Sequence, residues 1–479
     1  MNRTTRAVGV AVLLAGVTAC AVGPNYKRPE TTPTPPAWRD SAQAGRDSSF
    51  ANVPWWGVFN DDTLQTLIRH ALKENRDVHI ALARVNEARA LLGIQRLEYF
   101  PQINVQGGVR RSDGADSLLT GVTNTEMGYL GAGLSWELDL WGRLRRLNEA
   151  AAAELLASEE GRKSMILTVV SDVARAYMEM IELDDQVAIT DTQVVIRRAS
   201  LQLARGRFQG GLTSEMDVRQ GEHALAIAEG SHFRALRQRS QKENELSVLL
   251  GRTPGGIPRG LRLSAQNVPT AIPAGLPSTL LTRRPDVRQA EEQLHAANAR
   301  IGAAVAAMFP TISLTATAGT ISPELGSLFN TGTGFWRLAP NLFLPLLNPG
   351  RNRRQVAAER ARTEAALGMY ERTVLTAFRE VEDQLVAVQR LREEADAAGR
   401  ASTAARQGVR LAGLRYEGGV DNYLTLLDAQ RAQLDAELSQ SGLERGYRVA
   451  VVQLYKALGG GWDPVTDTLA LPTVKKSGR

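Results

Sequence analysis

Cysteine is nearly missing from this 479-residue chain, which has one, Cys20, so no intrachain disulfide can form. Aromatic residues make up 5% of the chain against 43% hydrophobic residues overall, enough apolar material for helices and strands but little of what fills a thick globular core. The five histidines, His70, His79, His223, His232 and His295, form no HExxH, no i,i+4 pair and no Cys/His cluster. No glycine-rich stretch ends in the Lys-Ser/Thr of a phosphate loop. Carboxylates are plentiful on helices, yet none is set apart by its spacing. An enzyme is therefore the remotest reading, and no metal or cofactor is expected. The net charge of +6 is spread over alternating acidic and basic residues, without a long basic run interleaved with aromatics. That pattern reads as solvated helix faces and not as a nucleic-acid footprint.

What is present begins at the N-terminus. Arg3 and Arg6 precede an apolar run, Ala7 to Ala19, too short to span a bilayer as a helix. Val17-Thr18-Ala19 then leads into Cys20, and small residues before a cysteine in this setting resemble a bacterial lipobox. The resemblance implies cleavage before Cys20, lipid on the new N-terminus and insertion of that lipid in a membrane. An ordinary secretory signal with an incidental cysteine is the alternative. Ala21 follows, with no Asp to hold a lipoprotein at the inner membrane, so the outer membrane is the expected destination. Losing residues 1–19 removes two positive charges from +6 and leaves +4.

The remainder repeats itself. Asp77-Val78 recurs as Asp286-Val287 and Phe100-Pro101 as Phe309-Pro310, each 209 residues on. Gly142-Arg143 recurs as Gly350-Arg351, Gly210-Gly211 as Gly418-Gly419, and Leu250-Gly251 as Leu458-Gly459, each 208 on. Two copies of one supersecondary unit follow. The expected organisation is a signal over 1–19, a Pro/Ser/Thr-rich lipidated linker over 20–60 and a first repeat over 61–251. An interrepeat linker over 252–277, a second repeat over 278–462 and a tail over 463–479 complete it. Each repeat reads as a helix (76–99, 285–308), two alternating segments, a very long helix (143–208, 351–416), a Gly-Gly turn and another long helix (213–250, 421–458).

The very long helices contain no proline, and 66 residues at 1.5 Å each span roughly 100 Å. Ile166, Val170, Val173, Tyr177 and Met180 are spaced 4-3-4-3, and Val374, Phe378, Val381, Leu385 and Val388 repeat that spacing, which is a coiled-coil seam. The segments before these helices alternate instead. Leu130, Ala132, Leu134, Trp136, Leu138 and Leu140 form one phase of 130–140. Ile103, Val105 and Val109 form one in the first segment, and Ile312, Leu314, Ala316 and Ala318 one in the third. Trp336, Leu338, Leu342, Leu344 and Leu346 form one in the fourth, where Pro340 and Pro345 weaken the pattern. Period-two segments about ten residues long suit a membrane barrel, with lipid on one side and water on the other. Four such strands cannot close a barrel, and open edges in lipid leave backbone groups unpaired. The physics thus points to an oligomer with four strands per chain and leaves the number of chains open. The competing reading is a periplasmic coiled-coil lipoprotein that braces other proteins without conducting.

These features resemble the TolC-like outer-membrane efflux family, in its lipidated OprM/NodT-type branch. The likeness is carried by Gly23-Pro24-Asn25-Tyr26, Trp55-Trp56, the two Phe-Pro pairs, Trp136-Glu137-Leu138-Asp139-Leu140-Trp141-Gly142-Arg143, Gly275-Leu276-Pro277-Ser278, Arg283-Arg284-Pro285-Asp286 and the run from Arg415 to Arg431. It implies a mixed α and β fold: a homotrimer with a twelve-stranded transmembrane β-barrel, continued by a long periplasmic α-helical coiled-coil barrel. It also implies a periplasmic adaptor (membrane fusion) protein and an inner-membrane transporter of the resistance–nodulation–division (RND) type as partners.

Asp421, Leu424, Asp428, Arg431 and Asp435 share one expected helical face, and in an oligomer they could ring a pore axis. A tight ring of carboxylates repels itself and attracts cations, which suits a gate better than a stable core. The resemblance implies that Leu424 and Asp428, with Arg431 beside them, constrict the duct, and that Arg415 and Tyr416 tie the closed state. Glycines in the turns Gly210-Gly211-Leu212 and Gly418-Gly419-Val420 read first as helix caps, and the resemblance implies that these turns meet the adaptor. At the 208-residue offset Leu424 corresponds to Met216, Asp428 to Gln220 and Arg431 to His223, so only the second copy carries the Leu/Asp pair.

Overall fold

The computed structural model describes residues 21–29, 33–39, 50, 61–112, 125–266, 273–344 and 349–461. Cys20, Trp55, Trp56 and Leu346 lie outside the described residues. The first repeat comprises α1 (Asp62–Glu74), α2 (Arg76–Leu97), β1 (Gln102–Ser112), β2 (Thr125–Leu138), α3 (Arg143–Gln209) and α4 (Glu215–Leu249). The second comprises α5 (Pro277–Arg283), α6 (Pro285–Ala306), β3 (Thr311–Ser322), β4 (Gly334–Phe343), α7 (Pro349–Glu417) and α8 (Tyr423–Ala457). The compact units do not follow the repeats. One unit is Met1–Thr31, Ala83–Glu159 and Gln289–Arg372; the other is Thr32–Leu82, Glu160–Arg288 and Thr373–Arg479. Each repeat contributes to both.

The first unit holds a four-stranded antiparallel sheet in the order β1-β2-β3-β4. Its register gathers the alternating phases onto one face. Val105 pairs with Ala132, Ala132 with Ala318 and Ala318 with Trp336. One row along, Ile103 pairs with Leu134, Leu134 with Ala316 and Ala316 with Leu338. Leu130, Trp136, Leu138, Ile312, Leu314 and Leu342 share that face by the same alternation. The opposite face carries Asn104, Gln106, Ser135, Glu137, Ser313, Thr315, Thr317, Arg337 and Asn341, with Tyr129, Ile321, Phe335 and Phe343 towards the strand ends. Within one chain the apolar face is bare, with Val105 73% and Trp336 80% exposed. The fourth strand runs through Pro340, which lacks an N–H but lies on the edge of this chain's sheet, where proline is tolerated.

The sheet meets the helices at corners built by the sequence motifs. Glu137 accepts two bonds from Arg143, at 2.8 and 2.7 Å. Asp139 caps α3 by accepting from the N–H groups of Leu144 and Arg145, both at 3.0 Å. The Trp141 indole donates to the Pro310 carbonyl at 2.7 Å and stacks on Phe309. The Trp136 indole donates to the Tyr99 carbonyl at 2.9 Å, which places Trp136 near the end of its strand. Residues 21–28, expected as part of a linker, are bonded to this unit. Arg146 donates to the carbonyls of Val22 and Gly23 and to Asn25, and Tyr26 stacks on His295 with ring centroids 4.6 Å apart.

The second unit contains the coiled-coil seam. Ile166, Val170, Val173, Tyr177 and Met180 are buried, as are Val374, Phe378, Val381 and Leu385, while Val388 is half-buried. Each fully buried aliphatic side chain contributes ~1.5–3 kcal/mol. Sequence periodicity did not separate α1 from the segments around it. Its start is fixed by Asp61, whose carboxylate caps Thr63 and Leu64 and also accepts from Tyr177, the Leu261 N–H and Gln266. The two repeats end alike. Asn75 donates to the Leu249 carbonyl at 2.8 Å, and Arg284, 209 residues on, donates to the Ala457 carbonyl at 3.2 Å. Arg284 is further held by Asp286 and Glu380, which accounts for the Arg-Pro-Asp motif.

Candidate functional site at the ends of the helical hairpins

The turn from α3 to α4 and the turn from α7 to α8 have the same backbone. The Leu212 N–H donates to the Arg207 carbonyl at 2.8 Å and the Gly211 N–H to Phe208 at 2.9 Å. In the second turn Val420 donates to Arg415 at 2.9 Å and Gly419 to Tyr416 at 3.1 Å. Gly211 and Gly419 sit at φ +72° and +74°, the left-handed conformation this Schellman ending needs. Leu212 and Val420 follow with their apolar side chains exposed, beside exposed Gly210 and Gly418.

The side chains of the two turns have diverged. Arg415 makes two bonds to the Asp421 carboxylate, at 2.7 and 3.0 Å, and this holds that carboxyl below its ordinary range. Asp421 therefore belongs to the turn and not to the helical stripe expected for it, because α8 starts only after the Asn422 cap. The residue corresponding to Asp421 in the first copy is Thr213, which offers Arg207 no carboxylate. Arg207 instead reaches the other hairpin. It donates to the Glu417 carbonyl at 3.0 Å, and its guanidinium lies 5.0 Å from the centre of the Tyr416 ring.

Tyr416 is buried in a cluster with Ala204, Ala412, Tyr423 and Leu426, so it joins α3, α7 and α8. Its ring meets that of Tyr423 at 5.2 Å, and burial pushes the Tyr423 hydroxyl up to about 12. Gly221 of α4 makes room for Tyr423: a Cβ there would stand 2.9 Å from the tyrosine hydroxyl. Beyond this cluster Arg197 of α3 donates to Gln430 Oε1 at 2.7 Å and reaches towards the Leu427 carbonyl at 3.5 Å. Gln430 in turn donates to Ser200 Oγ at 2.8 Å. Burial lowers the Arg197 pKa below the usual arginine value.

The next face of α8 looks into a groove of about 870 Å³. Leu424, Asp428, Arg431 and Asp435 form one wall, Gln220, His223 and Ile227 of α4 form the other, and Gln186, Thr190, Gln193 and Arg197 of α3 lie between. The second-copy residues expected at a gate thus line one concavity, and two of their first-copy counterparts, Gln220 and His223, line it too. Met216 does not. Arg415 and Tyr416 lie in the turn region and not in the groove. Arg197, Ser200 and Gly221 were not singled out by the sequence, and Tyr423 and Gln430 entered only as members of the run from Arg415 to Arg431. Their signal was divergence between the copies, since Arg197 corresponds to Ala405, Gln430 to Glu222 and Gly221 to Ala429. Among the described residues no group of three or more histidine, cysteine or carboxylate side chains is placed to hold a metal ion.

The profile of the outer membrane efflux protein family matches residues 67–252 and 276–460, one match for each repeat. The chain belongs to the outer membrane efflux protein family. The efflux protein is 36% identical to the outer membrane protein OprJ of Pseudomonas aeruginosa, over 95% of this chain and 96% of that relative. It is also 36% identical to the toluene efflux pump outer membrane protein TtgC of Pseudomonas putida, over 96% of both. Among solved structures, its fold is similar to the open state of the Neisseria gonorrhoeae MtrE outer membrane channel. That match has a TM-score of 0.83 at 33% identity and covers 92% of this chain and 98% of the other. It is likewise similar to the Campylobacter jejuni CmeC outer membrane channel, at a TM-score of 0.85 and 25% identity over 93% and 97% of the two chains.

Proposed function

We infer that this chain acts as a homotrimer whose twelve strands form one barrel, and that its groove residues gate the duct. The protein is the outer-membrane channel component of an efflux pump, a passive exit for small molecules. The observation that carries the trimeric reading is the sheet. Four strands present one continuous apolar face, which suits lipid, and a polar face, which suits water, while both edges stay unpaired within the chain. A periplasmic brace would have no use for such a face. A periplasmic adaptor docks at the exposed turns Gly210-Gly211-Leu212 and Gly418-Gly419-Val420, and an RND-type inner-membrane transporter drives the cargo. Cys20 carries the lipid anchor, and Cys20→Ser is expected to lose incorporated acyl label; equal labelling of both forms would rule the anchor out.

Leu424 and Asp428 form the narrowest rings, with Arg431 beside them, and Arg415 and Tyr416 help keep the coils closed. The adaptor can shift that balance only by binding the open form better. Replacing Leu424 and Asp428 together by alanine is expected to raise single-channel conductance in planar bilayers. Met216→Ala with Gln220→Ala should change it much less, because Met216 lies outside the groove and Gln220 bears no charge. Equal conductance from the two double variants, at equal trimer content, would refute the gate assignment.

A further inference from the structure

The duplicated hairpins differ where α3 meets α8. Three side chains on one face of α8 are docked there. The Tyr423 hydroxyl lies against Gly221 of α4, where Leu201 of α3 also closes in, Leu426 enters the cluster with Ala204, and Gln430 is held by Arg197 and Ser200. Gln430 is 2% and Arg197 9% exposed. Among the described residues no carboxylate forms an ion pair with Arg197, so a neutral amide and a helix carbonyl are what hold this buried guanidinium. A charge buried with such partners is expensive to keep for packing alone. The corresponding places of the other copy, where α7 would face α4, have nothing of the kind: Ala405 replaces Arg197, Gly408 replaces Ser200, and Glu222 replaces Gln430. Glu222 instead makes surface ion pairs with Arg205 and Arg219.

Tyr423, Leu427 and Gln430 lie one above another on the helix, and Leu424, Asp428 and Arg431 are each the next residue, about 100° further round. Fixing the first row therefore fixes the direction of the second. We propose that Arg197 is a positioning residue for the gate: by holding Gln430 it sets the rotation of α8 at which Leu424 and Asp428 face the groove. The inference rests on the gate reading of those two residues. Rotation of α8 away from this position must break the Arg197–Gln430 bond, which is made within one chain.

The test uses the full-length lipoprotein in planar bilayers, with trimer content checked for each variant. Arg197→Ala is expected to raise the open fraction about tenfold, as loss of a charge-assisted hydrogen bond would. Arg197→Lys, which can still donate to Gln430, restores most of the closed state. Gln430→Glu turns the neutral acceptor into a carboxylate, tightens the contact and lowers the open fraction below that of the wild type, a direction that mere damage to packing would not give. Arg197→Ala added to Leu424→Ala with Asp428→Ala changes nothing further, because it acts through those residues. If Arg197→Ala conducts like the wild type while the Leu424/Asp428 variant conducts more, the positioning role falls and the gate stands. If the Leu424/Asp428 variant is silent, the gate reading falls, and this proposal with it.

Discussion

Arg207 and Arg415 began as the same residue of a duplicated turn and now do different work. Arg415 has a carboxylate six residues on and stays within its own turn, whereas Arg207 has Thr213 at that place and reaches across to Glu417 and the Tyr416 ring. A one-residue difference has converted a local bond into a link between hairpins. Gly221 shows the same economy, since its missing side chain admits the Tyr423 hydroxyl. Gly221→Ala is expected to destabilise the hairpin ends by about 1–3 kcal/mol, the cost of overpacking a filled site. Adding Tyr423→Phe should recover much of that loss, because the atom nearest the new methyl is the hydroxyl at 2.9 Å. Limited proteolysis at the two turns would measure both effects. A double variant as labile as Gly221→Ala alone would mean that Leu201, at 3.0 Å, is the true obstacle.

Strand β3 has β2 on one side and β4 on the other, so its middle is where the apolar face is best defined. Ala316 stands between Leu134 and Leu338, and Thr317, one residue on, points to the polar face between Gly133 and Arg337. Ala316→Arg should cost roughly 2–4 kcal/mol on a lipid-facing site near the midplane, and Thr317→Arg far less. Equal yields of inserted oligomer from the two variants would mean that the faces have been assigned wrongly. Trp136 would be a weaker probe than its alternation suggests, because its indole is bonded to Tyr99 near the strand end. The longer helices, the strands and the turns between the long helices were legible in the sequence because each has its own period, and because the duplication showed them twice. The long helix expected over 143–208 is Arg143–Gln209, and the second, expected over 351–416, is Pro349–Glu417. Helix α1 was not legible, since its start depends on Asp61 gathering bonds from Tyr177 and Gln266, far away in sequence. The groove stripe was half legible: periodicity aligned Leu424, Asp428, Arg431 and Asp435, but it could not know that Asp421 precedes the cap. Contacts such as Arg197 with Gln430 join residues 233 apart, and no local pattern encodes them.

The sheet of one chain ends in β1 on one side and β4 on the other, and both rows of backbone groups need partners in lipid. Every neighbouring pair is antiparallel, so β1 and β4 run in opposite directions. Joining β4 of one copy to β1 of the next therefore continues the alternation, and all copies keep their helices on the same side of the membrane. Joining β1 to β1, or β4 to β4, makes an antiparallel pair only through a two-fold axis that sends the helices of the two copies to opposite sides. A head-to-tail ring is the arrangement that satisfies both edges, and rings of this kind close when the rotation permits. Three copies is the number we propose. The sole cysteine, Cys20, makes the arrangement easy to test, because Cys20→Ala leaves a chain without cysteine. In that background, Asn104→Cys or Gln106→Cys in β1 is combined with Ala339→Cys or Asn341→Cys in β4, all on the polar face, so that neighbouring registers are sampled. Oxidation is expected to give a covalent ladder that stops at the trimer for the paired variants and no cross-link for a β1 cysteine alone. Dimers from the β1 cysteine alone would show a two-fold interface and overturn the ring; a ladder running past three would overturn the number.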